Sequence, residues 1–103
     1  MLTAMMADVQ VEDDGTRAVV RVTGEIDIAT SPLLEDAVAQ LTAPDVVLDL
    51  EGVTFMGSSG LASLLRAARR ADGLGGSLRL RVSKQVRDLL EMTRLTSRFT
   101  IED

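Results

Sequence analysis

Short runs rich in valine and leucine alternate along this chain with longer segments whose apolar residues recur every three or four positions. The first pattern is typical of β-strands and the second of amphipathic helices. A strand, a helix and a second strand in succession usually form a parallel pair with the helix packed on the sheet. The alternation predicts an α/β fold of order ββαβαβα, with a mixed sheet of four strands, or of five if the tail around Phe99 and Ile101 forms a strand.

The strands are predicted from composition and from the turns between them. Segments 6–12 and 17–23 flank an Asp-Asp-Gly turn, and they are expected to form an antiparallel hairpin that ends at Gly24. Two more strands are predicted at 46–50 and 77–82. The second of these alternates apolar residues with arginines, as expected of a strand with one buried face.

Three crossover helices are predicted between these strands. The first begins at Thr30 or Ser31, the second opens at Gly57, and the third is capped by Ser83 and runs to about Thr93. Helical spacing selects the residues that should face the core. They are Leu33, Leu34, Ala37, Val38 and Leu41 in the first helix, Leu61, Leu64, Leu65, Ala68 and Ala71 in the second, and Val86, Leu89, Leu90 and Met92 in the third.

The composition excludes several classes of function. The 103 residues include no cysteine and no histidine, so disulfides, thiol nucleophiles, imidazole bases and the usual zinc sites are ruled out. A net charge of −5 and only two aromatic residues oppose nucleic-acid binding. No apolar run approaches the ~18 residues of a membrane span, and no signal peptide is evident. We therefore expect a single domain over residues 1–103, cytoplasmic, without cofactor or membrane insertion.

The segment Gly57-Ser58-Ser59-Gly60-Leu61 follows a predicted loop at 51–56 and opens the second helix. The first N–H groups of a helix lack internal acceptors and carry the positive end of its dipole, so they favour a hydroxyl cap or a phosphate. Ser-Ser-Gly before an apolar helix is most often a simple cap, and on its own the pattern is weak evidence. It is neither a phosphate-binding P-loop, which needs a lysine, nor a nucleophile elbow, which needs a histidine base.

The other polar residues favour no chemistry. Glu25 with Asp27, and Asp49 with Glu51, are the carboxylate pairs that acid–base or metal chemistry could use. Carboxylates at strand ends are usually solvated or capping groups, so we predict no catalytic residue and no metal site. The second helix is also expected to carry a solvated basic face, formed by Arg66, Arg69 and Arg70.

Several segments occur together in a specific combination. They are Gly24-Glu25-Ile26-Asp27, Thr30, the run VVLDLEGVTFM at 46–56 directly before GSSGL, and the helix at 86–90. Together they resemble the STAS domain family, and most closely its stand-alone bacterial anti-sigma factor antagonists. The resemblance covers nearly the whole chain and implies the STAS fold.

The resemblance also implies a mechanism. In that family, the serine after the Asp of an Asp-Ser-Ser/Thr-Gly-Leu motif is phosphorylated by the anti-sigma factor, which is a serine kinase; by motif alignment this serine is Ser58. The unphosphorylated protein is expected to bind the kinase and free the sigma factor, phosphorylation to end that binding, and a serine phosphatase to reset it. The implied partner-binding residues are Asp27, Thr30, Gly57, Ser59, Gly60 and Leu61.

Two positions depart from the family pattern. Gly57 stands where the family usually has Asp, and Ala62 stands where a second glycine is common. The missing carboxylate matters more, because a kinase that reads it would phosphorylate Ser58 poorly. This leaves an alternative function open: a STAS subunit, never phosphorylated, of a lipid-transport ABC complex or another membrane transporter. No oligomeric state follows from the sequence.

Overall fold

A computed structural model describes residues 6–102 of the chain. Its elements follow the order ββαβαβαβ, which confirms the predicted fold and assigns the tail to a fifth strand. The strands are β1 Ala7–Asp13, β2 Arg17–Ile26, β3 Asp45–Met56, β4 Ser77–Val82 and β5 Thr100–Glu102, the helices are α1 Ser31–Ala39, α2 Ser58–Gly73 and α3 Lys84–Met92, and a short 3-10 turn spans Thr96–Arg98.

The five strands form one mixed sheet in the order β1-β2-β3-β4-β5. β1 pairs antiparallel with β2, and the remaining neighbours are parallel. Each parallel crossover moves one strand in the same direction, so right-handed connections carry all three helices over one face of the sheet. Helix residues Leu34, Leu64 and Leu90 accordingly share a single core with Val20, Leu48 and Leu80 of the strands.

The opposite face of the sheet, called here the open face, carries a row of alternating charges. Successive ion pairs link Glu12 to Arg21 at 3.4 Å, Arg21 to Asp49 at 3.6 Å, Asp49 to Arg81 at 3.9 Å and Arg81 to Glu102 at 3.0 Å. The last four residues of this row are direct cross-strand neighbours. The pairs therefore connect all five strands on the face that no helix covers.

Two predicted strand ends were wrong, because β2 and β3 continue and pair with each other beyond Gly24. Gly24 does not end β2, because its φ of +96° lets the chain bend and continue to Ile26. A side chain at this position would collide with the carbonyl oxygen of Met6. Residues 51–56, expected to form a loop, are the second half of β3 and pair with residues 23–26 beyond an irregularity in register.

Several residues predicted to face the core do not. Leu33 is 48% exposed and Met92 is 79% exposed. In α2 the buried row is displaced from the predicted one and consists mostly of small residues, which let the helix approach its neighbours closely. That row is Gly60, Ser63, Leu64, Ala67 and Ala71.

The predicted solvated basic face of α2 was wrong for Arg70, whereas Arg66 and Arg69 are exposed. The Arg70 guanidinium donates hydrogen bonds to the carbonyl oxygens of Leu41 at 2.9 Å and Ala43 at 3.1 Å. Arg66 forms an ion pair with Glu35 of α1. These side chains tie α2 to α1 and to the segment that follows it. Among residues 6–102, no helix is long and apolar enough to cross a membrane.

Candidate functional site

The start of α2 and the loop after β2 lie side by side at one end of the sheet. The parallel strands β2 and β3 end as direct partners, with Ile26 opposite Met56. Just beyond them, the amide of Gly57 donates a 2.8 Å hydrogen bond to the carbonyl of Ile26. The structure thus brings together two segments that are distant in sequence: the loop 27–30 and the residues 57–61, called here the entry segment.

The loop is held by reciprocal hydrogen bonds between Asp27 and Thr30. A carboxylate oxygen of Asp27 accepts from the amides of Ala29 at 2.9 Å and Thr30 at 3.0 Å. The Thr30 hydroxyl accepts from the amide of Asp27 at 2.9 Å and donates to the carbonyl of Glu25 at 2.6 Å. Thr30 lies at the N-cap of α1, but its hydroxyl points back to β2 instead of capping the helix.

These bonds affect the ionisation of Asp27. Partial desolvation raises the pKa of its carboxyl group, but the hydrogen bonds from Thr30 and Ala29 together outweigh that effect and hold the pKa below its usual value. Asp27 is therefore a carboxylate at neutral pH. It places a fixed negative charge on the segment that adjoins the start of α2.

Ser58 is the first residue of α2, and its side chain is exposed. The helix begins because the carbonyl of the N-cap residue Gly57 accepts from the amides of Gly60 at 3.0 Å and Leu61 at 3.2 Å. Gly57 offers no side-chain cap. Among residues 6–102, the Ser58 hydroxyl has no hydrogen-bond partner, so the structure leaves it free at the positive end of the helix dipole.

The rest of the entry segment is partly buried. Ser59 is half-buried, and its carbonyl accepts a hydrogen bond from the Ser63 hydroxyl at 3.1 Å. Gly60 is buried, and a Cβ there would lie 2.6 Å from Cγ of Met56 and 3.0 Å from a methyl of Ile26. Gly60 therefore lets α2 start directly against the ends of β2 and β3. Leu61 is half-buried and packs against the core.

Two apolar side chains flank this site, and sequence reasoning did not identify them as part of it. Ile28, inside the loop, is 85% exposed, and Phe55, beside the entry segment, is 46% exposed. The Phe55 ring passes within 3.7 Å of the position that a Cβ on Gly57 would occupy. An isoleucine in an otherwise polar turn was the available signal. Together with Ser58, these residues form a surface that is partly apolar and carries the charge of Asp27.

The other carboxylate pair considered for chemistry is engaged elsewhere. Asp49 lies on the open face between the guanidinium groups of Arg21 and Arg81. In the part of the chain that the structure describes, no group of three or more acidic side chains is placed to hold a metal ion. The site formed by the loop and the entry segment therefore offers a hydroxyl, a carboxylate and exposed apolar area.

These features can be compared with known proteins. The family model described as "Mlab, STAS domain" matches residues 9–101. The chain belongs to the STAS domain family. Over 77 residues it is 36% identical to the anti-sigma-F factor antagonist RsfB of Mycobacterium tuberculosis, a match that covers 72% of this chain and 61% of the relative. This STAS chain thus spans less than two thirds of the length of the curated relatives it matches.

Solved structures agree with the family assignment. An anti-sigma factor antagonist from Mycobacterium paratuberculosis superposes with a TM-score of 0.78 at 32% identity, over 93% of this chain and 85% of that one. SpoIIAA of Bacillus in its unphosphorylated form has a TM-score of 0.75 at 22% identity, over 93% and 89% of the two chains. At that identity the SpoIIAA comparison bears on the fold alone.

Proposed function

We propose that this STAS protein is an anti-sigma factor antagonist that acts in the cytoplasm. Its unphosphorylated form binds an anti-sigma factor that is a serine kinase and thereby releases the sigma factor. Phosphorylation of Ser58 ends the binding, and a serine phosphatase restores it. The observation that carries the proposal is the free, exposed hydroxyl of Ser58 at the first position of α2. The relatives named as antagonists support the same function.

The surroundings of Ser58 explain why a phosphoryl group would disrupt docking. The group would add about −1.5 to −2 charges at neutral pH. The first basic residue of α2 is Arg66, eight positions and about 12 Å along the helix, and it is already paired with Glu35. The adjoining loop carries the Asp27 carboxylate and the exposed side chain of Ile28, and the exposed Phe55 ring lies beside Gly57. The helix N-terminus would offset only part of this charge, so a partner that covered this surface would have to desolvate a phosphate that no nearby basic side chain of α2 pairs.

The residues implied as partner contacts fall into two groups by burial. Thr30 and Gly60 are buried, so we assign them a supporting role: Thr30 fixes the loop, and Gly60 lets α2 start close to the sheet. Asp27, Ser59 and Leu61 remain partly accessible, and we assign them to direct contact.

Glycine at position 57 leaves the site open to a partner, but the backbone there would also accept a residue with a side chain. Its φ of −93° and ψ of −176° are ordinary extended values. A Cβ would meet only the Phe55 ring at 3.7 Å and the Ile26 carbonyl at 3.8 Å, which are normal contacts. The missing family carboxylate therefore changes the chemistry of the kinase substrate rather than the backbone that presents it.

The proposal is tested by affinity purification of tagged chain from bacterial cells that encode it. Wild type should retain a serine kinase of the anti-sigma class, and Ser58→Ala should retain it as well. Ser58→Asp should lose most of it, whereas the matched control Ser97→Asp, which makes the same change at an exposed serine of the 3-10 turn, should not. Equal recovery with wild type and Ser58→Asp would contradict the switch.

A second candidate function is favoured by Gly57 alone. A STAS subunit of a lipid-transport ABC complex is never phosphorylated and has no use for the carboxylate that a kinase reads. The same purification separates the two functions. Recovery of a transport ATPase, without a serine kinase and regardless of the residue at position 58, would support the transporter subunit.

A further inference from the structure

We propose that the outer edge of β1 binds an extended segment of a partner protein in which basic residues alternate with apolar ones. The added segment would extend the sheet by one strand. This interaction lies outside the proposed phosphorylation switch and does not depend on it.

The hydrogen-bond register shows which backbone groups of β1 face outward. The amide of Glu25 donates to the carbonyl of Met6 at 2.9 Å, and the amide of Asp14 donates to the carbonyl of Arg17 at 3.1 Å. Both bonds belong to one antiparallel register without a shift between them. Since bonded and non-bonded pairs alternate in such a ladder, the even-numbered residues of β1 bond to β2. The outward N–H and C=O groups are those of Ala7, Val9, Val11 and Asp13.

The outer edge of β1 is unpaired in the described residues, and at its end the Asp13 side chain accepts from the amide of Thr42 at 2.7 Å. Among residues 6–102, the outward amides and carbonyls of β1 have no backbone partner. β1 has seven residues, no proline and no bulge against β2, so its backbone can accept an added strand, and its carboxylates restrict which strands can pair there. β5, at the other edge of the sheet, has three residues. β1 is therefore the edge with room for an added strand.

The side chains of β1 define what such a strand should contain. On the open face β1 presents Asp8 and Glu12, which flank Gln10, and Glu12 also pairs with Arg21 of β2 at 3.4 Å. On the helix side it presents Val9, half-buried, and Val11, 45% exposed. A neighbouring strand with Lys or Arg on the open face and apolar residues on the other would match both rows, because opposite charges and apolar pairs on adjacent strands attract.

A second copy of this chain fits the edge poorly. The longest antiparallel register of β1 with itself is centred on Gln10, and it places Asp8 of each copy opposite Glu12 of the other. Like charges directly opposite each other destabilise a strand pair. The net charge of −5 per chain adds to the repulsion. Charge complementarity therefore selects a basic segment from a different protein.

The test uses the full chain and two short synthetic peptides, one alternating lysine with valine and the other alternating glutamate with valine. NMR titration should show the lysine peptide shifting the amide resonances of Ala7, Val9, Val11 and Asp13 and protecting those amides from exchange. The glutamate peptide should bind at least about tenfold more weakly. Equal binding of the two peptides, or perturbation centred elsewhere, would overturn the proposal.

Charge-reversal variants distinguish binding at the β1 edge from attraction to the overall charge of the protein. Asp8→Lys with Glu12→Lys should reduce affinity for the lysine peptide about tenfold and create affinity for the glutamate peptide. The control double variant Asp72→Lys with Glu91→Lys makes the same change in net charge on exposed positions of α2 and α3, and it should retain the wild-type preference. If both double variants lose the preference equally, surface charge alone explains the binding and the edge proposal is wrong.

Three more measurements complete the test. Val11→Pro removes one outward N–H without touching the ladder to β2, and it should abolish most of the binding.

Ser58→Asp should leave peptide binding unchanged, so a failure of the edge proposal can be distinguished from a failure of the phosphorylation switch. Analytical ultracentrifugation of the free chain should find a monomer. A dimer with protected Val9 and Val11 amides would make a second copy the occupant and overturn the proposal.

Discussion

The amide of Gly57 and the carbonyl of Ile26 are joined by a 2.8 Å hydrogen bond that couples the entrance of α2 to the end of β2. Through this bond the loop that holds Asp27 and the helix turn that presents Ser58 form one continuous surface. A substitution in either segment should therefore affect the other.

Restoring the family carboxylate with Gly57→Asp should increase the rate at which the partner kinase phosphorylates Ser58. The backbone accepts a side chain here without strain, and the new carboxylate can also cap α2. Because glycine is already a fair N-cap, the gain in unfolding free energy should be only a few tenths of a kcal/mol. Radiolabelled phosphate incorporation measures the rate, and urea denaturation measures the stability.

Gly57→Asn is the matched control, since it supplies a cap of the same size without the charge. An increase in phosphorylation with Asp and not with Asn would attribute the effect to the carboxylate. Identical rates in all three proteins would show that the kinase does not read position 57.

Replacing Thr30 by valine keeps the shape of the side chain and removes its hydroxyl. The carbonyl of Glu25 and the amide of Asp27 then lose partners in a buried position, which should lower the free energy of unfolding by about 1–3 kcal/mol. Partner binding should weaken as well, because the loop that carries Ile28 loses its anchor. Thr30→Ser, which keeps the hydroxyl, should recover most of both losses in denaturation and binding measurements.

The residue after the C-cap of α3 is strained. Arg94 has a φ of +59°, and it completes a helix end in which the amide of Leu95 donates to the carbonyl of Leu90 at 2.8 Å. Arg94→Gly should stabilise the protein by roughly 0.5–1 kcal/mol, since the left-handed conformation costs a side-chain residue more than glycine loses in unfolded-state entropy. Arg94→Ala removes the charge but keeps the strain. Thermal unfolding should rank glycine above both alanine and wild type.

Acid should weaken the link between β4 and β5. A hydrogen bond from Arg81, together with the charges of Arg81 and Arg79, outweighs desolvation and holds the pKa of Glu102 below its usual value. A lowered folded-state pKa means that the stabilisation is complete above the unfolded pKa and is lost as pH falls through the folded value. Stability should therefore decline as the pH falls below about 4.5.

Urea denaturation at pH 7 and pH 3 checks this behaviour. Glu102→Gln should reduce the stability difference between the two pH values, because the neutral amide has no pH-dependent attraction for the arginines. Asp72→Asn, at an exposed position of α2, serves as the control. If Glu102→Gln lost as much stability between pH 7 and pH 3 as wild type, the interaction of Glu102 with the arginines would not be the cause of the acid destabilisation.

Elements with local signals were predictable. The strict alternation of 77–82 and the serine cap at position 83 gave β4 and α3 nearly their observed bounds, and the Ser83 hydroxyl does accept from the amide of Val86 at 3.2 Å. The second half of β3 was missed because it is stabilised by pairing with β2 beyond Gly24, a contact between segments about thirty residues apart. The composition of a segment does not show which distant strand it will pair with.

In the candidate site, too, features with a local sequence signal were predictable and features set by long-range packing were not. The sequence predicted the helix start at Ser58, because Gly-Ser-Ser-Gly before an apolar segment is a local signal. It could not predict that the Thr30 hydroxyl turns away from α1 toward Glu25, or that Ile28 is exposed in the loop, since both depend on how the loop folds after β2. The face of α2 that is buried was likewise decided by packing.

The most direct test of the switch is mass spectrometry of the native protein isolated from cells, in free and partner-bound fractions. We expect phosphate on Ser58 in the free fraction and unmodified Ser58 in the fraction that copurifies with the kinase. Absence of phosphate from Ser58 under every growth condition, or equal phosphorylation of that residue in both fractions, would contradict it.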